Sequence, residues 1–179
     1  MHPVETSLFD FFHNHSIQGK IVLALSGGLD SMCLLHAASN VLSEEKLLAV
    51  HVNHQLQADA DTWEAFCEQH AHQYQIEFHA LRIQINRPEA NIEAQARQQR
   101  YQAIASQMQA EDILVTAHHQ DDQAETLLLQ LLRGAGVDGL SAMAGVSDFP
   151  PGKLVRPWLS VSRKALEDYA RINHLQWVN

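Results

Sequence analysis

Two adjacent glycines and an aspartate stand in the hexapeptide SGGLDS, directly after an apolar run. Glycine has no Cβ, so the N–H groups of such a turn can face an anion, and the positive end of the following helix attracts negative charge. Phosphate is the natural ligand of a site of this kind. A tight turn whose helix is capped by Asp30 or Ser31 is the alternative interpretation. The loop residues of this predicted cofactor-binding site are Ser26, Gly27, Gly28, Leu29, Asp30 and Ser31.

Acidic residues recur at a second predicted helix start, in the stretch HHQDDQAE. His118, Asp122 and Glu125 are spaced to share one face of a helix. Asp121 could instead be a plain helix cap, because acids favour the positive end of a helix. If these acids gather beside Asp30 and bound phosphate, a cation must offset their charge. Either Mg²⁺ or the amino group of a substrate would serve.

Two arginines and a tyrosine stand close together in NIEAQARQQRYQAI, a stretch with helical spacing. Arg97, Arg100 and Tyr101 occupy adjoining positions of one face. Taken alone, this pattern is consistent with an ordinary surface helix that is stabilised by a Glu93 to Arg97 pair.

Short apolar runs alternate along the chain with longer amphipathic stretches, which is typical of βαβ units. The runs predict strands at residues 21–25, 47–52, 78–85 and 112–117, with weaker ones near LVRPW and in the final LQWVN. The other stretches predict helices at roughly 30–42, 61–73, 91–108 and 122–132, and in SRKALEDYARIN. We therefore expect a Rossmann-like, three-layer α/β/α fold with a mostly parallel sheet of about five or six strands. Ligands of such sheets bind at the carboxyl ends of the strands, where each motif above falls.

Length, net charge and cysteine content restrict the classes of protein to which this chain can belong. The 179 residues suit one globular domain, and no apolar stretch approaches the roughly 20 residues needed to span a membrane. The amino terminus lacks the features of a secretory signal, so we expect a cytoplasmic protein. The net charge of −9 at pH 7 argues against nucleic-acid binding over the whole surface. Cys33 and Cys67 are placed as buried thiols rather than as a disulfide or redox pair.

Five ordered blocks carry a specific resemblance. They are SGGLDS, AVHVNHQLQADAD, NIEAQARQQRYQAI, LVTAHHQDDQAETLLLQLLRGAGVDGLSAM and LVRPWLSVSRKAL. The first resembles the PP-loop of N-type ATP pyrophosphatases, and all five together resemble the tRNA(Ile)-lysidine synthetase family of that superfamily. The resemblance implies an adenine nucleotide alpha hydrolase-like fold, with residues 1–179 as the N-terminal PP-loop ATPase catalytic domain. The C-terminal domains that bind tRNA in the family would lie outside these residues.

The resemblance also implies a reaction in two steps. ATP adenylates the wobble cytidine of tRNA(Ile) with a CAU anticodon and releases pyrophosphate. The ε-amine of L-lysine then attacks C2 of the base and expels AMP. By resemblance, this chain is a ligase that uses ATP and Mg²⁺, and it could form a homodimer. Two other functions stay open: a PP-loop tRNA thiolase, which would need cysteines to carry sulfur, and a non-catalytic nucleotide-sensing module on the same scaffold.

Roles of individual residues follow from the same resemblance. Asp30 and Asp122 are implied to hold the metal, and Arg97 and Glu125 are implied to be catalytic with them. Zinc bound by some of the twelve histidines is a weaker alternative, because the sequence has no H-E-x-x-H or paired Cys/His spacing. The implied adenine slot, at the end of the second predicted strand, consists of His51, Val52 and His54. The implied lysine and tRNA site consists of His118, Asp121, Asp122, Glu125, Arg133, Gly134, Gly136 and Arg156.

The segment at residues 133–152 carries five glycines and two prolines, which predicts an irregular connection rather than part of the core. In the family it borders the pocket, so the resemblance implies that Arg133, Gly134 and Gly136 form a lid over lysine or the target base. Arg156 is implied as a second phosphate ligand.

Overall fold

Helices and strands alternate along the chain, as the apolar pattern predicts. The structure, a computed structural model, describes residues 1–15, 17–55, 58–83, 92–134 and 141–178. Its helices are α1 (Pro3–His13), α2 (Leu29–Val41), α3 (Ala60–Gln73), α4 (Ile92–Ala105), α5 (Gln120–Leu132) and α6 (Arg163–Ile172), with a 3₁₀ turn at Glu44–Lys46. Its strands are β1 (Ile21–Ala24), β2 (Leu47–Asn53), β3 (Glu77–Arg82), β4 (Ile113–Val115), β5 (Val146–Phe149) and β6 (Gly152–Val155).

The strands form a sheet in the order β3-β2-β1-β4-β6-β5. All neighbouring pairs are parallel except β5 and β6, which pair antiparallel at the edge. From β1 the chain moves outward through β2 and β3, and then builds the other side through β4 and β6. The direction in which successive strands are added to the sheet therefore reverses between β1 and β4. Ligands of open α/β sheets bind at such a switch point. This topology confirms the predicted Rossmann-like fold with a mostly parallel sheet.

Both faces of the sheet are buried, which explains the continuous apolar runs of its central strands. Successive residues point to opposite faces, so Leu23 joins one core cluster and Val22 the other. The helices α1, α2, α3 and α6 contribute to the first cluster, and α4 contributes Ile104 to the second. The sheet is thus the middle of three layers. None of the described helices combines the length and apolar character needed to cross a bilayer.

The helix α1 was not among the elements predicted from the sequence. His2 caps it, because His2 Nδ1 accepts a hydrogen bond from the Val4 N–H at 3.3 Å and Glu5 completes a capping box. Val4, Leu8 and Phe12 are buried in the core at intervals of four residues. That spacing is visible in the sequence and is a sufficient signal for the helix.

Two expectations about the carboxyl-terminal part are wrong. The sequence predicts a strand in LQWVN, but residues 175–178 form none, and the Val178 N–H instead donates to the Gly27 carbonyl at 3.0 Å. The sequence predicts an irregular segment at residues 133–152, but β5 lies within it and pairs with β6. The predicted strand at 78–85 ends earlier, at Arg82, and residues 84–85 lie outside the described part of the chain.

The packing of α1 gives a test of its contribution to stability. Leu8 is fully buried, whereas Leu132, at the end of α5, is 84% exposed. Leu8→Ala should lower the free energy of unfolding by about 2–5 kcal/mol, because it removes buried methyl groups and leaves a cavity. Leu132→Ala should change that free energy by less than about 0.5 kcal/mol. Urea unfolding followed by circular dichroism measures both values, and equal effects would contradict the packing of α1.

Candidate active site

A cavity of about 440 Å³ opens at the carboxyl ends of β1, β2 and β4. Its walls come from the glycine loop, the end of β2 and the residues just after it, the helix α4 and the start of α5. The predicted site residues that line it are Ser26, Asp30, Ser31, His51, Val52, His54, Arg97, His118 and Asp122. Those that do not line it are Gly27, Gly28, Leu29, Asp121, Glu125, Arg133, Gly134 and Arg156. Gly136 lies outside the described residues.

Hydrogen bonds within the glycine loop fix its shape. The Ser31 hydroxyl donates to the Gly28 carbonyl at 2.9 Å and accepts bonds from the N–H and the hydroxyl of Ser26. Gly27 has a φ of +87°, and a Cβ there would lie 2.8 Å from Val178 Cγ2. Gly28 has a φ of −72°, and a Cβ there would meet only the Ser26 hydroxyl, at 3.5 Å. The backbone therefore requires glycine at 27, whereas the packing of the protein does not require it at 28.

The amino end of α2 meets this loop without a side-chain cap. Gly28 is the N-cap residue, and the described residues provide no side-chain capping bond. The N–H groups of a first helical turn have no partner within the helix, so they attract an anion. The alternative in which Asp30 or Ser31 caps the helix is wrong, because Ser31 bonds to the Gly28 carbonyl and Asp30 bonds to another helix.

Asp30 is paired with a cation that the sequence analysis did not name. Both of its carboxylate oxygens accept hydrogen bonds from Arg163 Nη1 at 2.7 Å. His119 Nε2 also lies 3.8 Å from Asp30 Oδ2. Burial raises the pKa of Asp30, and Arg163 and His119 oppose that rise. Arg163 stands at a predicted helix start, directly after Ser162, but that position does not indicate its pairing with Asp30.

His119, and not Asp121, caps α5. His119 Nδ1 accepts a hydrogen bond from the Asp121 N–H at 3.3 Å, and Asp122 Oδ2 accepts one from the His119 N–H at 2.7 Å. This reciprocal arrangement is a capping box. Asp121 Oδ1 instead accepts a bond from the Arg163 N–H at 3.2 Å, at the start of α6. The starts of α5 and α6 are therefore joined directly.

His118 precedes α5, so the expectation that it shares a helical face with Asp122 and Glu125 is wrong. Glu125 is exposed and lies one turn beyond Asp122. His118 Nδ1 forms a 2.7 Å hydrogen bond with the Thr116 hydroxyl. Burial, aided by Arg156 and opposed by Asp122, lowers the pKa of His118 to about 4. The imidazole is therefore neutral near neutral pH.

The helix α4 supplies the positive wall of the cavity. Arg97, Arg100 and Tyr101 all line the cavity, so they share one face as their spacing predicts. A place in the site was implied only for Arg97, and it was implied by the resemblance. The Arg97 guanidinium lies 5.4 Å from the centroid of the Tyr101 ring, within the range of a cation–π contact. Tyr101 packs edge-on against Phe149 of β5, with 5.5 Å between ring centroids. The side chain of Glu93, the alternative partner of Arg97, lies outside the described part of the chain.

The end of β2 and the residues just after it form another wall of the cavity. His51 is buried, and its Nδ1 donates to the Leu25 carbonyl at 2.9 Å. Asn53 is also buried, and its Oδ1 accepts a bond from the Gln55 N–H at 2.9 Å, which holds Gln55 at a φ of +53°. Trp63, at the start of α3, adds an aromatic ring. Neither Asn53 nor Trp63 was predicted as a site residue. Asn53 lies within AVHVNH, and Trp63 lies nine residues beyond it.

The cavity lining does not include Arg133 and Gly134, which were implied as a lid, or Arg156, which was implied as a second phosphate ligand. Arg133 is the exposed C-cap residue of α5, and Gly134 follows it with a φ of +77°. Arg156 Nη1 donates to the Ala144 carbonyl at 2.8 Å and to the Ser147 hydroxyl at 3.2 Å. Arg156 thus holds the chain that leads into β5.

Asp30 and Asp122 are the carboxylates on the cavity wall that could hold Mg²⁺. Mg²⁺ commonly takes one or two carboxylates and completes its shell with substrate phosphates and water, so these oxygen donors fit a metal that arrives with ATP. Across the described ranges, no three or more His, Cys, Asp or Glu side chains are grouped to hold a metal. The zinc alternative therefore has no support from the geometry.

Cys33 and Cys67 are both buried, free thiols. Burial raises the pKa of each to about 12. Because the thiolate is the reactive form of cysteine, neither residue suits sulfur transfer. The thiolase alternative is therefore disfavoured.

The two glycines of the loop should respond differently to alanine. Gly27→Ala should lower the free energy of unfolding by about 1–3 kcal/mol, because alanine disfavours a positive φ and its Cβ would meet Val178. Gly28→Ala should change that free energy by less than about 0.5 kcal/mol, yet weaken ATP binding by at least about tenfold, because its Cβ would crowd a phosphate. Urea unfolding and calorimetric titration measure the two quantities. Undiminished ATP affinity in Gly28→Ala would argue against a phosphate at this turn.

The low pKa of His118 predicts a pH dependence of stability. An unfolded histidine has a pKa of about 6.5, so on acidification the unfolded chain takes up this proton before the folded chain does. The folded state therefore loses stability as the pH falls from about 6.5 to the folded pKa of about 4. His118→Asn has no such group and should lose less stability than the wild type between about pH 7 and about pH 4.5. Urea midpoints at the two pH values test this, and equal losses would show that His118 titrates normally.

Known proteins resemble this chain in sequence. The sequence model of the PP-loop domain matches residues 1–179. The tRNA(Ile)-lysidine synthase of Legionella pneumophila (strain Paris) is 48% identical over 160 residues, which cover 89% of this chain and 37% of that protein. The tRNA(Ile)-lysidine synthase of Actinobacillus pleuropneumoniae serotype 3 (strain JL03) is 43% identical over 175 residues, which cover 98% of this chain and 41% of that protein. The chain thus spans 37% to 41% of the length of these relatives.

Two solved structures share the fold at low sequence identity. The U34-tRNA thiolase NcsA from Methanococcus maripaludis has a TM-score of 0.76 and 16% identity, over 98% of this chain and 65% of that one. The NH3-dependent NAD synthetase from Campylobacter jejuni has a TM-score of 0.59 and 17% identity, over 96% of this chain and 72% of that one. With its whole length matched by the family's sequence model and its sheet shared with these structures, this chain belongs to the PP-loop domain family.

Proposed function

We propose that this chain is the catalytic domain of a ligase that uses ATP to attach L-lysine to C2 of the wobble cytidine of tRNA(Ile) with a CAU anticodon. The observation that carries the proposal is the cavity that joins an uncapped helix end, two arginines and two carboxylates. The relatives named tRNA(Ile)-lysidine synthase, which match most of this chain, support the same reaction.

In the first step, the C2 carbonyl oxygen of the cytidine attacks the α-phosphorus of ATP, and the bond to pyrophosphate breaks. The N–H groups at the start of α2 would bind the departing pyrophosphate. Arg97, on the wall of the same cavity, would offset the negative charge that grows on the α-phosphate. His51 and Val52, at the end of β2, would hold the adenine.

Asp30 and Asp122 are the residues that would hold Mg²⁺. When bound, the metal neutralises phosphate charge and makes pyrophosphate a better leaving group. Arg163 bonds both oxygens of Asp30, so the guanidinium and the metal would share this carboxylate.

In the second step, the ε-amine of lysine attacks C2, and the C–O bond breaks as AMP leaves with the oxygen. The amine must first lose a proton, which a neighbouring carboxylate can accept. Asp122 on the cavity wall and Glu125 one turn further along α5 are the proposed pair that orients the lysine. His118 beside Asp122 is neutral, so it leaves the carboxylate charge available to the ammonium group.

The tRNA is proposed to bind mainly to parts of the whole protein that lie outside this chain. The net charge of −9 gives the chain little attraction for a phosphate backbone. A tRNA substrate also implies that the reaction takes place in the cytoplasm, and the homodimer stays a prediction.

Asp30 gives the sharpest test of the proposed function. With ATP, L-lysine and excess tRNA(Ile), the wild type should release AMP and pyrophosphate, and Asp30→Asn should release AMP at least about a hundredfold more slowly, because the metal loses a charged ligand. The matched control is Glu44→Gln, an exposed acid in the 3₁₀ turn before β2, which should keep the wild-type rate. Thin-layer analysis of radiolabelled ATP measures the products. Release of ADP in place of AMP by the wild type, or an unchanged rate in Asp30→Asn, would refute the proposal.

A further inference from the structure

One hydrogen bond determines which ring nitrogen of His54 carries the proton. His54 lies just beyond β2 on the wall of the cavity. Arg100 Nε donates a hydrogen bond to His54 Nε2 at 3.3 Å. A guanidinium has donors and no acceptor, so Nε2 must accept and carries no proton. The imidazole is therefore neutral, with its proton on Nδ1.

The Nδ1–H group of His54 needs an acceptor. His54 Nδ1 is buried, and the part of the chain that the structure describes offers it no hydrogen-bond partner. A buried donor without a partner costs free energy, and most such groups in native proteins are paired. Burial and the positive charge of Arg100 also lower the pKa of His54, which keeps the ring in the same neutral state. The site thus presents a neutral donor that a ligand can satisfy.

The neighbours of His54 restrict the chemistry of that ligand. His51 already uses its Nδ1–H on the Leu25 carbonyl, so it does not compete for the same acceptor. Trp63 brings a flat aromatic ring to the same cavity, and flat rings stack on the faces of nucleobases. Arg97 and Arg100 are the stronger partners for a phosphate, which leaves a neutral N–H to a neutral acceptor. A heteroaromatic ring with unprotonated nitrogens fits this surrounding, because it is neutral, accepts a hydrogen bond from His54 and can stack on Trp63.

We infer that His54 Nδ1–H donates a hydrogen bond to a ring nitrogen of adenine, and that Arg100 is a positioning residue that holds His54 in this tautomer. The inference deepens the proposed function and rests on its ATP site. It assigns recognition of the base edge to the side chain of His54, in addition to the contacts with adenine that are proposed for His51 and Val52. Arg100 then acts on the nucleotide through His54.

The tautomer can be observed directly in the whole 179-residue chain. Long-range ¹H–¹⁵N spectra of ¹⁵N-histidine-labelled protein distinguish a protonated Nδ1 from a protonated Nε2. The wild type should show the Nδ1–H form at His54, and Arg100→Gln should move the ring toward the Nε2–H form. Arg171→Gln is the matched control, because Arg171 is an exposed residue of α6 that pairs with Asp168, and it should leave the His54 spectrum unchanged. An Nε2–H ring in the wild type would overturn the inference.

The acceptor can be identified with ATP analogues in which carbon replaces one ring nitrogen. Calorimetric titration with 1-deaza-, 3-deaza- and 7-deaza-ATP should show that one analogue binds the wild type roughly fivefold to tenfold more weakly than ATP. His54→Phe keeps a ring of similar size, and it should bind ATP and that analogue equally. Arg100→Gln should reduce the difference between the two nucleotides.

The outcomes separate this inference from the proposed function. If the wild type does not bind ATP, both fail together. If it binds ATP but all three analogues bind as ATP does, or if His54→Phe retains the same preference, the inference alone is wrong. A preference that disappears in His54→Phe supports it.

Discussion

The ion pair between Asp30 and Arg163 is the interaction on which the site depends. The start of α2 attracts anions, and a carboxylate in its first turn would repel them unless a cation stood beside it. Arg163 is that cation, with hydrogen bonds of 2.7 Å to both oxygens. Its backbone N–H also donates to Asp121. Arg163 therefore links the start of α6 to the starts of both α2 and α5. These contacts set the charge beside the cavity, which lies at the switch point between β1 and β4.

The centre of the fold is predictable because its strands are buried on both faces and therefore appear as apolar runs. The strands β1, β2 and β4 lie within about two residues of their predicted ranges. The edge strand β5 has no such run, since exposed and half-buried residues alternate along Val146–Phe149. Residues 175–178 show the opposite error, because their composition suits a strand but Val178 bonds to the glycine loop. Only tertiary contacts decide such cases.

The parts of the site that depend on contacts between residues close in sequence are predictable. The parts that depend on contacts between distant segments are not. The positive φ of Gly27 and the hydroxyl bonds of Ser31 are local, so the hexapeptide SGGLDS was sufficient to predict the glycine turn before α2. His119 caps α5 although histidine is rarely a preferred cap, which is why the spacing of the acids wrongly placed His118 on the helix. Arg163 lies 133 positions from Asp30, and no local pattern indicates that they pair.

Charge in the cavity is divided between structural elements. The cations Arg97 and Arg100 come from α4, whereas the carboxylates Asp30 and Asp122 come from α2 and α5. The histidines that line the cavity are His51, His54 and His118. Burial lowers the pKa of each, so these rings offset neither the charge of the arginines nor that of the carboxylates. A polyphosphate and a primary ammonium group would each find its opposite charge on a different element. In the proposed reaction, exchanging the positions of the two groups would bring like charges together, so this separation would favour one arrangement of the reactants before any bond is made.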